Sequence, residues 1–326
     1  MRQNLINNIL ESDIIKKWHW FGYHFNYYLQ GVEHPFAKSI VDTLIEIDKY
    51  TPGIKDDFVK RIASLSGREK FEPHYEQLMQ ILAELVIIRK LYTYEWTEKI
   101  NFEHEPTAGN SKKNPEVCLI LPETTIGVEV KSPQILNHKR TREKSKVQLP
   151  SRNMLIDIDI VQWAKESNEL CLPRDNPVKD FLISANEKFA SFKKLDSNFI
   201  GFLIIVWDDF VYEPISTLLN DISGIFTPNT FVKTKGGENE KFENVDYVLV
   251  TSHLHQFQHL AGERPVLIDI DNVLDYGKVG FPFKIIIKNP YSTKELPANV
   301  IKCLQAVESD AKLGAEFVSS DFILWR

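Results

Sequence analysis

Cysteine is scarce: three in 326 residues, Cys118, Cys171 and Cys303, far apart and without a C-x-x-C pair. They give no zinc signature and fit a reducing compartment, so a cytoplasmic setting is expected. Long apolar runs are missing too. The most apolar one, Phe199 to Trp207, has strand length and is far too short to span a bilayer. The opening residues Met1 to Asn8 hold no long apolar core, so neither a signal peptide nor a membrane partner is expected. Nor is there an excess of positive charge. Lys and Arg number 39 against 45 Asp and Glu, a net charge of −6 and a pI of about 5.9. An overall basic coat is thereby excluded, and any nucleic-acid contact must use a local patch. No Gly-rich phosphate loop and no Gly-x-Ser-x-Gly elbow occurs, which removes support for an ATPase or a serine hydrolase. Repeats and low-complexity tracts are absent as well. What is present is 43% hydrophobic content, enough for the core of one large domain or two modest ones.

The most informative stretch runs from Asn114-Pro115-Glu116 through Val117–Leu121, a polar turn, and Ile126-Gly127-Val128-Glu129-Val130-Lys131-Ser132-Pro133. It reads as two short strands joined by a tight turn. Side chains on a strand alternate faces, so Glu129 and Lys131 point one way while Val128 and Val130 point the other. Glu116, at the start of the preceding strand, is placed to lie beside them. Two converging carboxylates and a lysine suit a hard divalent cation and a polarised water.

Asn-Pro-Glu, a strand, a turn and Val-Glu-Val-Lys resemble the motif of the PD-(D/E)xK nuclease superfamily, the restriction-endonuclease-like fold. The resemblance covers about residues 71–210. It implies an αβββαβ core within an α/β protein whose central mixed sheet is flanked by helices. The slots are filled by a helix over His74–Tyr94, a strand over Glu98–His104, the two strands above, a helix over Val178–Lys194 and a strand over Asn198–Trp207. Residues 1–70 are expected to form a helical N-terminal region and residues 211–326 a C-terminal α/β extension. Glu116 stands where the family usually carries Asp, which keeps the carboxylate and moves it out by one methylene.

On a helical wheel, Leu78, Ile81, Leu82, Leu85 and Tyr92 form one stripe, with Glu84 at its edge beside Ile81 and Ile88 and Glu76 on the solvent face. Glu84 is therefore the candidate for the family's helix glutamate. Arg89 falls inside the stripe, which requires snorkelling or an acidic partner. The resemblance implies Mg²⁺ or Mn²⁺ held by Glu116, Glu129 and the Val130 carbonyl. Glu84 would orient a water or serve a second metal, and Lys131 would stabilise charge on the phosphate. Ser184, Asn186 and Lys188 are polar positions of the next helix, and Lys188 is the one taken as a further site residue.

Downstream, Asn137–Lys146 carries five cations, Lys139, Arg140, Arg142, Lys144 and Lys146, against Glu143. Placed directly after the metal-site strand, this segment is expected to be a loop that contacts phosphates; the plainer alternative is a solvated loop. In the N-terminal region, Val41, Leu44, Ile45 and Ile47 follow helical spacing after His34-Pro35. The aromatic group Trp18, Trp20, Phe21, Tyr23, Phe25, Tyr27 and Tyr28, near Lys16 and Lys17, could stack bases. Packing on the core or against a subunit is the favoured reading, because aromatics bring large apolar area. Beyond residue 210, Val245–Thr251, Val266–Ile270 and Phe283–Lys288 read as strands, Leu296–Val307 as a helix and Lys233–Lys241 as a surface loop. His253, His255 and His259 have no acidic or cysteine partner at ligand spacing and are taken as helix-surface or hydrogen-bonding histidines.

The expected function is metal-dependent phosphodiester hydrolysis, with DNA as the first substrate, endonucleolytic cleavage as the mode, and restriction or defence as the setting implied. A homodimer or a partner subunit is the protein contact compatible with it. Two rivals stand beside it: an inactive nuclease-fold binding or scaffold subunit, and a nuclease of RNA or DNA ends.

Overall fold

A computed structural model describes residues 1–109, 111, 113–145, 147–149, 162, 170–210, 212–253 and 272–309. The N-terminal third is helical: α1 (Arg2–Leu10), α2 (Asp13–Lys16), α3 (Gly22–Asn26), a 3₁₀ turn, α4 (Pro35–Asp48), α5 (Ile54–Ser64) and α6 (Glu72–Thr93). Local chemistry sets their starts. Pro35 and Pro73 occupy first-turn positions that need no N–H, and His34 accepts the Phe36 N–H at 3.2 Å. Much of the aromatic group packs on the core: Phe21 and Phe25 are buried in it, Trp20 and Tyr28 lie against it, Trp20 meets Tyr75 and Phe21 meets Phe36, while Tyr23 is left 64% exposed.

After α6 come β1 (Asn101–His104), β2 (Val117–Ile120) and β3 (Thr125–Lys131), an antiparallel meander. Next are α7 (Leu136–Lys144), a two-residue pair β4 (Val147–Gln148) and β5 (Leu170–Cys171), and the long helix α8 (Asp175–Leu195). β6 (Ile200–Val206) then lies parallel to β3, as a helical crossover requires. α9 (Tyr212–Leu219), β7 (Tyr247–Thr251), β8 (Ile285–Lys288), α10 (Ala298–Leu304) and β9 (Val307–Ser309) complete a seven-stranded mixed sheet in the order β1-β2-β3-β6-β7-β8-β9. The expected strand at Val266–Ile270, together with His255, His259 and Lys146, lies outside the described residues. No helix among the described residues is long and apolar enough to cross a membrane.

Strand alternation divides the core in two. Val117, Leu119, Ile126, Val128, Val130, Phe202 and Ile204 face α4 and α6, in one apolar cluster that reaches from Leu5 to Leu304. Cys118, Leu203 and Ile205 face the other way, onto Val178, Leu182, Ala185 and Phe189 of α8 and Ile215 and Leu218 of α9. Two glycines permit this second layer to close. A Cβ at Gly127 would fall 2.2 Å from Phe199 Cζ, and one at Gly201 would fall 2.0 Å from the Asn244 carbonyl oxygen.

Three expectations are corrected here. The basic segment after β3 is a helix, not a loop. Glu76 does not face solvent: its carboxylate accepts the N–H groups of Ile135 (3.0 Å) and Leu136 (2.8 Å), holding the start of α7 against α6. His253 is buried, which overturns the helix-surface alternative but not the hydrogen-bonding one, and its backbone N–H donates to Asp208 Oδ1 at 2.6 Å.

Candidate functional site

β2 and β3 pair with Val117 opposite Val128. Continuing that antiparallel register by one residue sets Glu116 opposite Glu129, so both carboxylates stand on the α8 face of the sheet. They are cross-strand neighbours, the shortest side-chain spacing a sheet offers. Pro115 precedes Glu116 and keeps the entry to β2 extended. Glu129 is fully buried and Glu116 is 8% exposed.

Like charges in such a place require counter-ions. Lys131, two residues on along the same face, puts Nζ 2.6 Å from Glu129 Oε1. Lys188, on α8, donates to the same oxygen at 2.7 Å and lies 3.6 Å from Glu116 Oε1. The other oxygen of Glu129, Oε2, is buried with no hydrogen-bond partner among the described residues.

Glu84 comes from α6. It is 2% exposed, deeper than the edge position on the wheel suggests. Arg61 of α5 forms an ion pair with its Oε2, and Gln80, one helical turn before it, donates to its Oε1 at 3.3 Å. Gln80 also reaches the sheet, donating to the Val130 carbonyl at 3.1 Å and accepting the Ser132 N–H at 3.3 Å. The charges balance in two sets: Glu84 with Arg61, and Glu116 and Glu129 with Lys188 and Lys131, the two sets being linked by Gln80, which bonds both Glu84 and the Val130 carbonyl.

Burial raises the Glu84 carboxyl to about 7, and the Glu116 charge adds to the shift against the pull of Arg61. Burial likewise raises Glu129; Lys131 and Lys188 oppose the shift while Glu116 reinforces it. For Lys188, burial works downward, but the charges of Glu129 and Glu116 outweigh it and hold the ammonium above its ordinary value. A cleft of about 790 Å³ opens over this cluster, lined by Arg61, Gln80, Lys131, Ser132, Asp180 and Phe181 among others. Of the four residues taken from the sequence as catalytic, only Lys131 lines the cleft. Glu84 and Glu129 sit one contact behind its wall, bonded to Arg61, Gln80 and Lys131, and Glu116 joins them through Lys188.

Sequence reasoning missed Arg61 and Gln80. Gln80 had a local signal, since it precedes Glu84 by one helical turn; Arg61 had none, because its helix meets Glu84 only through packing. The basic residues are partly spoken for. Arg140 forms an ion pair with Glu72, and Arg142 pairs with Asp209 at 2.8 Å while its guanidinium stacks 4.7 Å above Phe210. Arg89, inside the apolar stripe, pairs with Glu46 at 2.7 Å.

The donor set can be tested for a hard divalent cation. Such an ion takes carboxylate and carbonyl oxygens. An orphaned buried oxygen on Glu129, a second carboxylate directly opposite it and two carboxyl groups held protonation-prone by burial make a set that a dication would relieve. The residues fit. Comparison with models of known protein families, with curated proteins and with solved structures gives no match to this chain.

Proposed function

We propose that this chain is a metal-dependent nuclease of the PD-(D/E)xK kind, with DNA as its first substrate and internal phosphodiester bonds as its target. The observation that carries the reading is the meeting of Glu116 and Glu129 across β2 and β3, with Lys131 on the latter's carboxylate. The order α6, β1, β2, β3, α8, β6, with α7 and the separate β4–β5 pair inserted before α8, supports it, because these are the αβββαβ elements that the motif implies.

Glu116 and Glu129, with the Val130 carbonyl, would hold Mg²⁺ or Mn²⁺, and Glu84 would orient a water or serve a second ion. When bound, such an ion polarises a phosphoryl oxygen and makes a coordinated water acidic. The chain's own groups divide the remaining work. Lys131, at the cleft wall, places a positive charge where negative charge grows on the phosphate. Glu84, with a carboxyl near neutrality, can accept a proton from water at its Oε atoms or keep that water oriented. Arg61 and Gln80 fix the Glu84 carboxylate, and Gln80 ties it to the backbone of β3. Lys188 shares Glu129 with Lys131 and limits the cost of burying it. Lys139, Arg140, Arg142 and Lys144 of α7 would guide the polyanion toward the cleft.

One observation favours a second reading, a nuclease-fold chain that binds without cutting: two lysines already claim the same Glu129 oxygen, so the cluster is self-neutralising. A single experiment separates the two. Purified full-length protein is incubated with supercoiled plasmid, linear DNA and RNA, with Mg²⁺, Mn²⁺ or EDTA. The expected result is cation-dependent nicking or linearisation of plasmid that Glu129→Gln abolishes. Cleavage confined to linear DNA or to RNA reassigns the substrate, and a folded chain that cuts none of the three in Mn²⁺ establishes the binding reading.

A further inference from the structure

A second set of ligand-type atoms converges where α5 meets the end of β1. Asp57 on α5, His104 at the last position of β1 and Glu105 just beyond it bring one ligand atom each within 4.8 Å of one another. Glu105 has φ 44°, a left-handed conformation that turns it out of strand alternation and onto the same side as its neighbour.

The imidazole is held in one tautomer. Nδ1 of His104 lies 3.0 Å from the Glu116 carbonyl oxygen. A carbonyl only accepts, so Nδ1 carries a proton, and it is Nε2 that is left to offer a lone pair to a cation. Stacking on Phe58, 25° from parallel, fixes the ring plane. Nε2 faces Asp57 Oδ2 at 3.7 Å, and the His104 side chain is only 9% exposed. Both atoms are buried, and neither has a hydrogen-bond partner among the described residues.

Two acceptors facing each other out of water are unfavourable unless positive charge stands between them. A proton would close the gap to a charge-assisted hydrogen bond of about 2.7–2.9 Å. A tetrahedral ion with ligands about 2.0–2.2 Å away keeps them about 3.4 Å apart. The observed separation lies nearer the second.

We propose that Asp57, His104 and Glu105 form a binding site for a transition-series divalent cation, Zn²⁺ first, distinct from the Glu116–Glu129 cluster. One imidazole nitrogen with two carboxylates is a donor set for zinc rather than for Mg²⁺ or Ca²⁺, which favour oxygen alone. The ring's other nitrogen bonded to a backbone carbonyl is the usual outer support of a metal-ligating histidine. Access is open, since Glu105 is exposed and the Asp57 side chain is 46% exposed. Arg61, which feels the charge of Glu105, is paired with Glu84. A metal here would tie α5 to β1 and, through His104, brace the backbone of Glu116. The proposal does not depend on nuclease activity.

The test uses the full-length Glu116→Gln/Glu129→Gln double variant, which keeps the Glu116 carbonyl and disarms the other cluster. ZnCl₂ is titrated into it by isothermal calorimetry. One Zn²⁺ per chain is expected, with Kd raised at least about tenfold when Asp57→Asn or His104→Ala is added. Circular dichroism without metal establishes that each variant is folded; should His104→Ala unfold, Asp57→Asn at its half-exposed position decides. No zinc uptake by the double variant, or equal affinity after Asp57→Asn, overturns the site.

Discussion

Replacing each lysine on Glu129 by Met, an unbranched side chain that keeps most of the stem, examines the charge balance of the cluster. Glu129 is fully buried, so its charge depends on its partners. Lys131 and Lys188 stand 2.6 and 2.7 Å from the same oxygen, and their side chains are 18% and 23% exposed. Removing all partners of a buried charge costs about 3–5 kcal/mol. In Lys131→Met or Lys188→Met one ammonium remains at full contact, so each single variant is expected to lose only about 1 kcal/mol. The double variant leaves the carboxylate unpaired and loses about 3–5 kcal/mol, less whatever Glu129 recovers by taking up a proton. The assay is urea unfolding followed by circular dichroism at pH 7, arranged as a double-mutant cycle. Single losses that add up to the double within about 0.5 kcal/mol would refute the sharing of one oxygen. Cleavage should separate the two lysines: Lys131→Met is expected to lose about a hundred- to a thousand-fold in rate, as for other lost electrostatic donors, and Lys188→Met much less. Equal losses would move the phosphate-facing role onto α8.

Glu116→Asp should keep or raise Mn²⁺-dependent cleavage, whereas Glu116→Ala should abolish it and weaken Mn²⁺ binding in calorimetry; wild-type cleavage by Glu116→Ala would mean that the metal site is misplaced. On α7, Lys139 and Lys144 have no ion-pair partner among the described residues, so Lys139→Gln/Lys144→Gln should flatten the slope of log K against log salt for DNA by about 2, while an unchanged slope would leave them as solvated surface. Gly201→Ala drives a Cβ to 2.0 Å from the Asn244 carbonyl oxygen and 2.6 Å from the Phe189 ring, and should cost at least about 2 kcal/mol by overpacking; an unchanged urea midpoint would show that this approach can relax. Burial, aided by the charge of His34, lowers His24 to about 4. Its contribution to stability is present above the ordinary histidine value and is lost as pH falls from 6.5 toward 4, because the unfolded chain takes up the proton first; His24→Phe should therefore lose less stability than wild type over that interval, and parallel pH profiles would contradict it.

The sheet was largely legible because its strands announce themselves in two different ways. Val117–Ile120 and Thr125–Lys131 are short β-branched or aliphatic runs bounded by turn residues, and Ile200–Val206 is a continuous apolar run of the kind that a strand buried on both faces requires. α7 gave no such signal. Its sequence, Leu-Asn-His-Lys-Arg-Thr-Arg-Glu-Lys, has no apolar stripe, and none of its residues is buried. Its contacts lie elsewhere, in the Glu76 carboxylate at its first N–H groups and in the Arg140–Glu72 and Arg142–Asp209 pairs. Partners 59 to 68 positions away leave no periodicity to read.

Most of the candidate site was legible for a similar reason. Glu129 and Lys131 follow from the two-residue alternation of a strand, and Glu84 from the edge of a helical wheel, because these are properties of single elements. Lys188 is taken from among three polar positions of its helix, and the packing of α8 on β3 puts it on Glu129. Arg61 depends on how α5 meets α6. Charge accounting narrows that gap. Once two glutamates are placed opposite each other on a buried strand face, one lysine cannot balance them, and the low-dielectric interior demands further cations from whatever packs above. The face that holds Glu116 and Glu129 is covered by α8, whose buried residues Val178, Leu182, Ala185 and Phe189 define its inward stripe. Lys188 lies beside that stripe, three residues after Ala185 and next to Phe189, so it is the lysine of α8 that can reach under the helix to the sheet. The same requirement applied to the buried Glu84 calls for a cation from the helices that pack on α6, and Arg61 of α5 meets it. A buried carboxylate pair read from sequence is therefore also a statement about which cations the rest of the fold must deliver.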